Sequence, residues 1–144
     1  MTNSRKVTVT QLPNVPEALA EAWPDLVAHV SEHGSELVLL PEMIFSPWLA
    51  ATNAVDPAQW QAAVAGHEAW IGRLEALAPA AVLGTRPVID AETGAPYNEV
   101  FLWDVDEGLK AGHRKRFLPN EPGFWEAEWY RRGKLDFTAR TIHD

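Results

Sequence analysis

Glu42 is the carboxylate in this sequence whose position most clearly suggests chemistry. It follows the apolar run from Leu37 to Leu40, which is typical of a strand buried on both faces. Pro41 ends that strand, because proline has no N–H to donate to a sheet. Glu42 is therefore predicted just beyond the carboxyl end of the strand, where open α/β sheets bind their ligands. Because a charge at the edge of the core is costly when unpaired, we expect a cationic partner or a chemical role.

The segment 113–116, His-Arg-Lys-Arg, is the densest cationic cluster of the chain. Such a cluster is most often a solvated strand end. Alternation along a strand, however, puts Lys115 and Phe117 on one face and Arg114 on the other. If Lys115 shares an inner face with Phe117, it needs a carboxylate partner. Glu42 is the natural candidate.

Three glutamates follow this cluster and compete for a second inward position. The segment 119–123 contains two prolines and a glycine and predicts a rigid turn. A short aromatic segment comes next, and Glu121, Glu126 and Glu128 lie in or beside these two segments. Composition alone does not decide which of the three points inward.

The remaining polar residues give weaker indications of a site. Ser46 lies in the loop after Glu42, but a serine nucleophile needs a positioned base and oxyanion donors, and neither is evident. His29, His33 and His67 fall in helical patterns, which favours core or solvated histidines.

Strands and helices alternate in the order β-α-β-α-β-β-β, which predicts an α/β protein with a mixed sheet. The first helix is predicted to begin at an Asn14 cap, to kink or restart at Pro24 and to end at Gly34. The second is predicted as one long amphipathic helix from the Asp56 cap to Leu77. Two helices cover one face of such a sheet, and the other face needs cover that this chain does not obviously contain. The five strands of this order are predicted at 6–12, 36–41, 80–89, 98–105 and 109–118, and a short helical turn at 125–130 and a last strand at 135–142 follow them.

Composition excludes several classes of function. The chain has 144 residues, enough for one domain, and 47% of them are hydrophobic, which favours a soluble globular protein. The net charge of -8 argues against nucleic acid and anionic membranes as partners. No apolar run reaches membrane-spanning length, so we expect a cytoplasmic protein. The absence of cysteine excludes disulfides, zinc–thiolate sites and thiol nucleophiles within these residues.

Four short motifs occur in a characteristic order. They are Leu37 to Glu42, Tyr97-Asn98 before a predicted hairpin, His-Arg-Lys-Arg-Phe-Leu-Pro at 113–119, and Pro-Gly-Phe-Trp-Glu at 122–126. Together they resemble the amino-terminal half of a carbon–nitrogen hydrolase of the nitrilase superfamily, over nearly the whole chain. The resemblance implies that residues 1–144 form a single partial domain, with helices on one face of the sheet. It would be half of a four-layer α-β-β-α sandwich, without the half that bears the nucleophile.

The resemblance also implies roles for individual residues. Glu42 matches the general base, Lys115 the cation that stabilises the oxyanion, and Glu126 the second, supporting glutamate. His113 replaces a tyrosine often found in this family, and Phe117 replaces a common histidine. No metal or organic cofactor is implied.

The sequence leaves open what this chain does without a cysteine. It is either one part of a split hydrolase of amides, carbamoyl compounds or nitriles, an inactive truncated relic, or a binding or assembly module on the same scaffold. The expected partners are a small amide or nitrile substrate and a second chain carrying the cysteine half, or a further copy of this chain. Phe45 and Trp48 follow Glu42 closely and either line the substrate pocket or pack in the core.

Overall fold

A five-stranded mixed sheet forms the centre of the molecule in the computed structural model, which describes residues 4–142. The strands lie in chain order, so each strand neighbours the next. The first three strands are parallel, and the last three form an antiparallel meander. This confirms the predicted α/β class with a mixed sheet. The elements are β1 Val7–Val9, α1 Pro16–His33, β2 Leu37–Leu39, α2 Pro57–Ile71, β3 Ala81–Ile89, β4 Pro96–Asp104, β5 Gly108–Arg114 and α3 Glu126–Trp129, with 3₁₀ turns at Leu49–Ala51 and Leu74–Leu77.

The first helix, α1, has a proline in its first turn and ends at a glycine. Pro16 occupies its first turn, where the missing N–H would have no helical partner. Gly34 ends it with φ 61°, a left-handed conformation that costs glycine little. The predicted Asn14 cap is wrong, because Val15 occupies the cap position and makes no side-chain hydrogen bond there. α1 runs through Pro24 as one helix rather than restarting.

The second helix, α2, is shorter than predicted. Asp56 caps it by accepting a hydrogen bond of 2.8 Å from the N–H of Ala58. The helix ends at Ile71, and the apolar pattern continues in the 3₁₀ turn Leu74–Leu77 rather than in one long helix. Gly72 separates the two, because glycine is a poor helix former. Within α2, a Cβ on Gly66 would lie 2.6 Å from a backbone carbonyl oxygen of the loop after β2, so the helix and that loop pack backbone to backbone.

The larger of two hydrophobic clusters lies between the helices and one face of the sheet. The loop residue Phe45 is at its centre and stacks on Trp70 of α2, with ring centroids 5.3 Å apart and planes 6° apart. The opposite face is less covered, since Val7 and Val9 are 47% and 76% exposed. The helix-side core consists of Leu19, Trp23, Leu26, Val30, Val38, Ile44, Phe45, Trp70, Leu74, Leu77, Ala80, Val82, Phe101 and Trp103.

The end of the chain does not form the predicted strand at 135–142, and β5 stops at Arg114 instead of continuing to residue 118. Two backbone hydrogen bonds hold the preceding segment, from Arg131 N–H to the Pro96 carbonyl (2.7 Å) and from Gly133 N–H to the Lys115 carbonyl (3.0 Å). Beyond Gly133 the segment makes no ladder with another described strand, so its alternating apolar residues stay exposed. No helix in the described part of the chain combines the length and the apolar character that a membrane span needs.

Candidate active site

Lys115 lies between two carboxylates, which are those of Glu42 and Glu126. Its Nζ is 2.9 Å from Glu42 Oε1 and 2.9 Å and 2.8 Å from the two oxygens of Glu126. The structure therefore brings together all three residues that the sequence predicts for catalysis. Glu42 and Lys115 are 73 residues apart and meet through the sheet, whereas Glu126 is 11 residues after Lys115 and reaches it from α3.

Glu42 lies three residues after the end of β2, and its neighbours hold it there. The N–H of Met43 donates to Thr85 Oγ1 of β3 at 2.8 Å. Met43 itself has φ 52°, a left-handed conformation that costs a residue other than glycine roughly 1–2 kcal/mol. This turn directs the chain away from the strand just after the carboxylate. Strained backbone of this kind concentrates at functional sites.

Asn98 of β4 connects the base with the cation. Its Nδ2 donates to Glu42 Oε1 at 2.6 Å, and its backbone carbonyl accepts the N–H of Lys115 at 2.8 Å. The Asn98 side chain is buried, and its hydrogen bond fixes the orientation of the Glu42 carboxylate. In the sequence, Asn98 is only part of a family motif, although an asparagine inside a strand pattern is itself unusual.

Glu126 is the inward carboxylate among the three candidates. It begins α3 and is 2% exposed, whereas Glu121 and Glu128 lie at the surface. Two backbone bonds place α3, from Trp125 N–H to the Ala50 carbonyl (2.8 Å) and from Ala127 N–H to the Pro119 carbonyl (3.1 Å). The rigid turn before the helix thus determines which glutamate reaches Lys115.

The electrostatics of this cluster follow from its burial. Burial raises the pKa of Glu126, against the hydrogen bond from Lys115, and the nearby charge of Glu42 raises it further. Burial alone would lower the pKa of Lys115, but its bonds to Glu126 and Glu42 outweigh this, and its pKa lies above the ordinary value. Lys115 is therefore a permanent cation held by two acceptors. Burial also raises the pKa of Tyr130, and the nearby negative charges of Glu126 and Glu42 raise it further.

The two residues that depart from the family pattern, His113 and Phe117, lie near the end of β5 and just after it. Phe117 is 70% exposed, so the expectation that it shares an inner face with Lys115 is wrong. Its ring stacks on Phe137 at 6.3 Å, and the His113 ring lies 4.9 Å from the same side chain. The chain leaves β5 before residue 115, and strand alternation no longer applies there.

Phe45 and Trp48 lie on a cavity of 460 Å³ between the loop after Glu42 and α2. Phe45 is 3% exposed and is mainly a core residue, packed on Trp70. Trp48 is half-buried, and its indole N–H donates to the Gly123 carbonyl at 3.0 Å. A role for either residue in substrate binding stays a prediction.

The other candidate residues, a serine and three histidines, lie neither beside a general base nor within a set of metal ligands. Ser46 Oγ is buried and has no hydrogen-bond partner among the described residues. Burial lowers the pKa of His67 to about 4, and its Nδ1 bonds the Ala63 carbonyl, so it is a neutral core histidine. His29 and His33 stack on each other along α1, at 4.2 Å between centroids. Within residues 4–142, no group of three or more metal-binding side chains converges.

Comparison with known proteins gives the family and the fold of this chain. The family described as carbon-nitrogen hydrolase matches residues 6–141. A carbon-nitrogen hydrolase from Helicobacter pylori G27 has a similar fold, with a TM-score of 0.71 at 19% identity, over 92% of this chain and 46% of that one. A glutamine-dependent NAD(+) synthetase from Cytophaga hutchinsonii gives a TM-score of 0.66 at 19% identity, over 97% of this chain and 24% of that one.

A third similar structure is a glutamate-to-glutamine mutant of the amidase from Nesterenkonia sp. AN1, which shows the result of Michael addition of acrylamide at the active-site cysteine. Its TM-score is 0.60 at 19% identity, over 92% of this chain and 51% of that one. This chain thus spans about half or less of the length of these solved structures. No curated protein matches the sequence. The match over residues 6–141, together with the nitrilase-type fold, shows that the chain belongs to the carbon–nitrogen hydrolase family.

Proposed function

We propose that this chain supplies the base and the oxyanion-stabilising cation of a hydrolase that cleaves the carbon–nitrogen bonds of amides, carbamoyl compounds or nitriles. The observation that carries the proposal is the position of Lys115 Nζ, within 2.9 Å of both Glu42 and Glu126. A cation held by two carboxylates at the carboxyl edge of an α/β sheet suits acyl transfer.

Each residue has a role that its environment supports. Glu42 is 40% exposed at its side chain, so a thiol could reach it and give up a proton, which Glu42 would return to the leaving nitrogen. Lys115 would hold the oxyanion of the tetrahedral intermediate. Glu126, buried behind Lys115, would keep the ammonium group in place. Asn98 would orient Glu42 through its 2.6 Å bond.

The nucleophile would come from outside these 144 residues, because they contain no cysteine. The Nesterenkonia amidase carries an active-site cysteine, and we infer the same nucleophile here. A second chain, or a further segment, would bring the thiol to Glu42. The less covered face of the sheet, with Val7 and Val9 exposed, offers an apolar surface for such an association.

Reconstitution tests the proposal. The chain is mixed with a candidate cysteine-bearing carboxyl-terminal half, and ammonia release from short amides and nitriles is measured. We expect activity only in the mixture, and loss of about a hundredfold or more with Glu42→Gln or Lys115→Met. Lys110→Met, which removes an exposed lysine, is the matched control and keeps activity.

The two other interpretations give different results in the same experiment. A truncated relic would be insoluble or would fail to associate. A binding or assembly module would associate equally well with and without the two substitutions, and the mixture would release no ammonia. Either result would exclude the proposed hydrolase.

A further inference from the structure

The segment after α3 concentrates positive charge in an acidic protein. Residues 131–142 contain four arginines and lysines, out of 12 in a chain with a net charge of -8. The segment crosses β5 at very close range. A Cβ on Gly133 would lie only 2.1 Å from the carbonyl oxygen of Arg114. Only glycine permits that approach, which brings the cationic side chains of the segment to Arg114.

These residues enclose a cavity of 260 Å³ between β5 and the segment. Arg114, Arg132, Lys134 and Arg140 line it, together with His113, and Asp136 is the one carboxylate among the lining residues. Asp136 also accepts hydrogen bonds from the N–H and hydroxyl of a neighbouring threonine. Four arginine and lysine side chains thus line the cavity beside Asp136, and one of them, Arg114, is also paired with two carboxylates behind it.

Arg114 is fixed before any ligand arrives. Its Nη1 is 2.7 Å from Asp90 Oδ2, and its Nε is 3.1 Å from Glu99 Oε2. Its guanidinium lies over the Tyr97 ring, 4.4 Å from the centroid. Such preorganisation lowers the entropy cost of binding.

The other three cations are not paired with any carboxylate of the described residues. Among residues 4–142, neither Arg132 nor Lys134 nor Arg140 forms a salt bridge. Their mutual repulsion would be relieved by an anion in the cavity. Arginine forks suit the oxygens of a phosphate, since two N–H groups can bond two oxygens in parallel.

This cavity is separate from the carboxylate cluster. Tyr97 and Arg114 stack on each other, while their chain neighbours Asn98 and Lys115 both bond Glu42. Tyr97 and Asn98 are consecutive residues of β4, so their side chains point to opposite faces of the sheet, and the side chains of Arg114 and Lys115 follow them to those two sides. An anion bound at Arg114 would not occupy the position of a substrate at Lys115.

We propose that this cavity binds a small phosphate monoester. The volume suits a compact dianion, and the net charge of -8 opposes the approach of a polyanion such as nucleic acid. The proposal is independent of the proposed hydrolase activity, because binding needs neither cysteine nor turnover.

Calorimetric titration of the chain with inorganic phosphate and with β-glycerophosphate, at constant ionic strength in chloride, tests the proposal. We expect saturable binding of one ligand per chain. Arg132→Ala should weaken it about tenfold, because a hydrogen bond between charged groups is lost. Asp136→Asn should strengthen binding, since it removes the opposing charge without shortening the side chain.

Arg131→Ala is the matched control. Arg131 is exposed, adjacent in sequence and identical in charge, but it does not line the cavity. We expect it to change the affinity by less than about twofold, because salt screens an exposed charge outside the site. Equal weakening by Arg131→Ala and Arg132→Ala would show general charge attraction and overturn the proposal. Absence of saturable binding, or weaker binding by Asp136→Asn, would overturn it as well.

Discussion

Replacing Lys115 by methionine should destabilise the fold by leaving a buried carboxylate without its cation. Glu126 is 2% exposed, and its two oxygens lie 2.8–2.9 Å from the ammonium group. Removing one partner of a buried pair typically costs about 3–5 kcal/mol. Lys115 is 32% exposed at its side chain, so solvent already screens part of the interaction. We therefore expect a loss of about 3 kcal/mol in the free energy of unfolding at neutral pH.

The loss should depend on pH in a defined direction. Burial already raises the pKa of Glu126, and removing Lys115 raises it further. A carboxyl whose pKa is higher in the folded than in the unfolded chain binds its proton more tightly when folded. That stabilising contribution is complete below the unfolded pKa and is lost as the pH rises through the folded pKa. The deficit of Lys115→Met should thus be largest at neutral pH and should shrink on acidification.

Urea unfolding of the wild type and the variant at about pH 7.5 and about pH 5 measures both effects. Lys110→Met is the control, because Lys110 pairs with Glu107 at the surface, and it should cost less than about 1 kcal/mol. The double variant Lys115→Met, Glu126→Gln should recover much of the loss, since no charge stays buried. A deficit that is equal in both lysine variants, or that does not change with pH, would refute this reasoning.

Three further predictions concern single positions. Gly66→Ala should cost about 1–3 kcal/mol in urea unfolding, because its Cβ would meet a carbonyl oxygen at 2.6 Å, whereas Gly72→Ala, which faces open space, should be neutral or stabilising. Stability should fall by about 3 kcal/mol from pH 6.5 to pH 4, as burial holds the pKa of His67 at about 4 while the unfolded chain takes up the proton; His67→Gln should remove most of this slope. Bonding to Arg114 holds the pKa of Asp90 well below its ordinary range, so an NMR titration should find Asp90 ionised at about pH 3, and Arg114→Ala should move its titration upward.

The parts of the fold that the sequence predicts correctly are those that depend on local chemistry. The apolar run before Pro41 predicts β2 and the position of Glu42 at its end, and the structure has both. The end of α1 at Gly34 follows from the left-handed conformation that glycine adopts. The pairing of Lys115 with Glu42, predicted because an inward-facing lysine needs a carboxylate, is found at 2.9 Å, although Phe117 does not share its inner face.

The parts that it does not predict depend on contacts between distant residues. The strand expected at 135–142 has the right alternation, but no described strand pairs with it. Composition does not choose Glu126 over Glu121, and only the resemblance of the motif at 122–126 does so, because the inward position depends on how α3 packs against the carbonyl of Ala50. The bond from Asn98 to Glu42 joins residues 56 positions apart, and no local pattern records it.

Lys115 takes part both in the carboxylate cluster and in the cavity beside β5, and this has a thermodynamic consequence. Its side chain bonds Glu42 and Glu126. Its backbone carbonyl accepts the N–H of Gly133, which belongs to the segment 131–142 that lines the cavity at Arg114. Any ligand that changes the position of that segment therefore acts on the peptide group that carries the ammonium. Linkage requires the effect to be reciprocal: the factor by which one occupant alters the affinity for the other is the same in both directions.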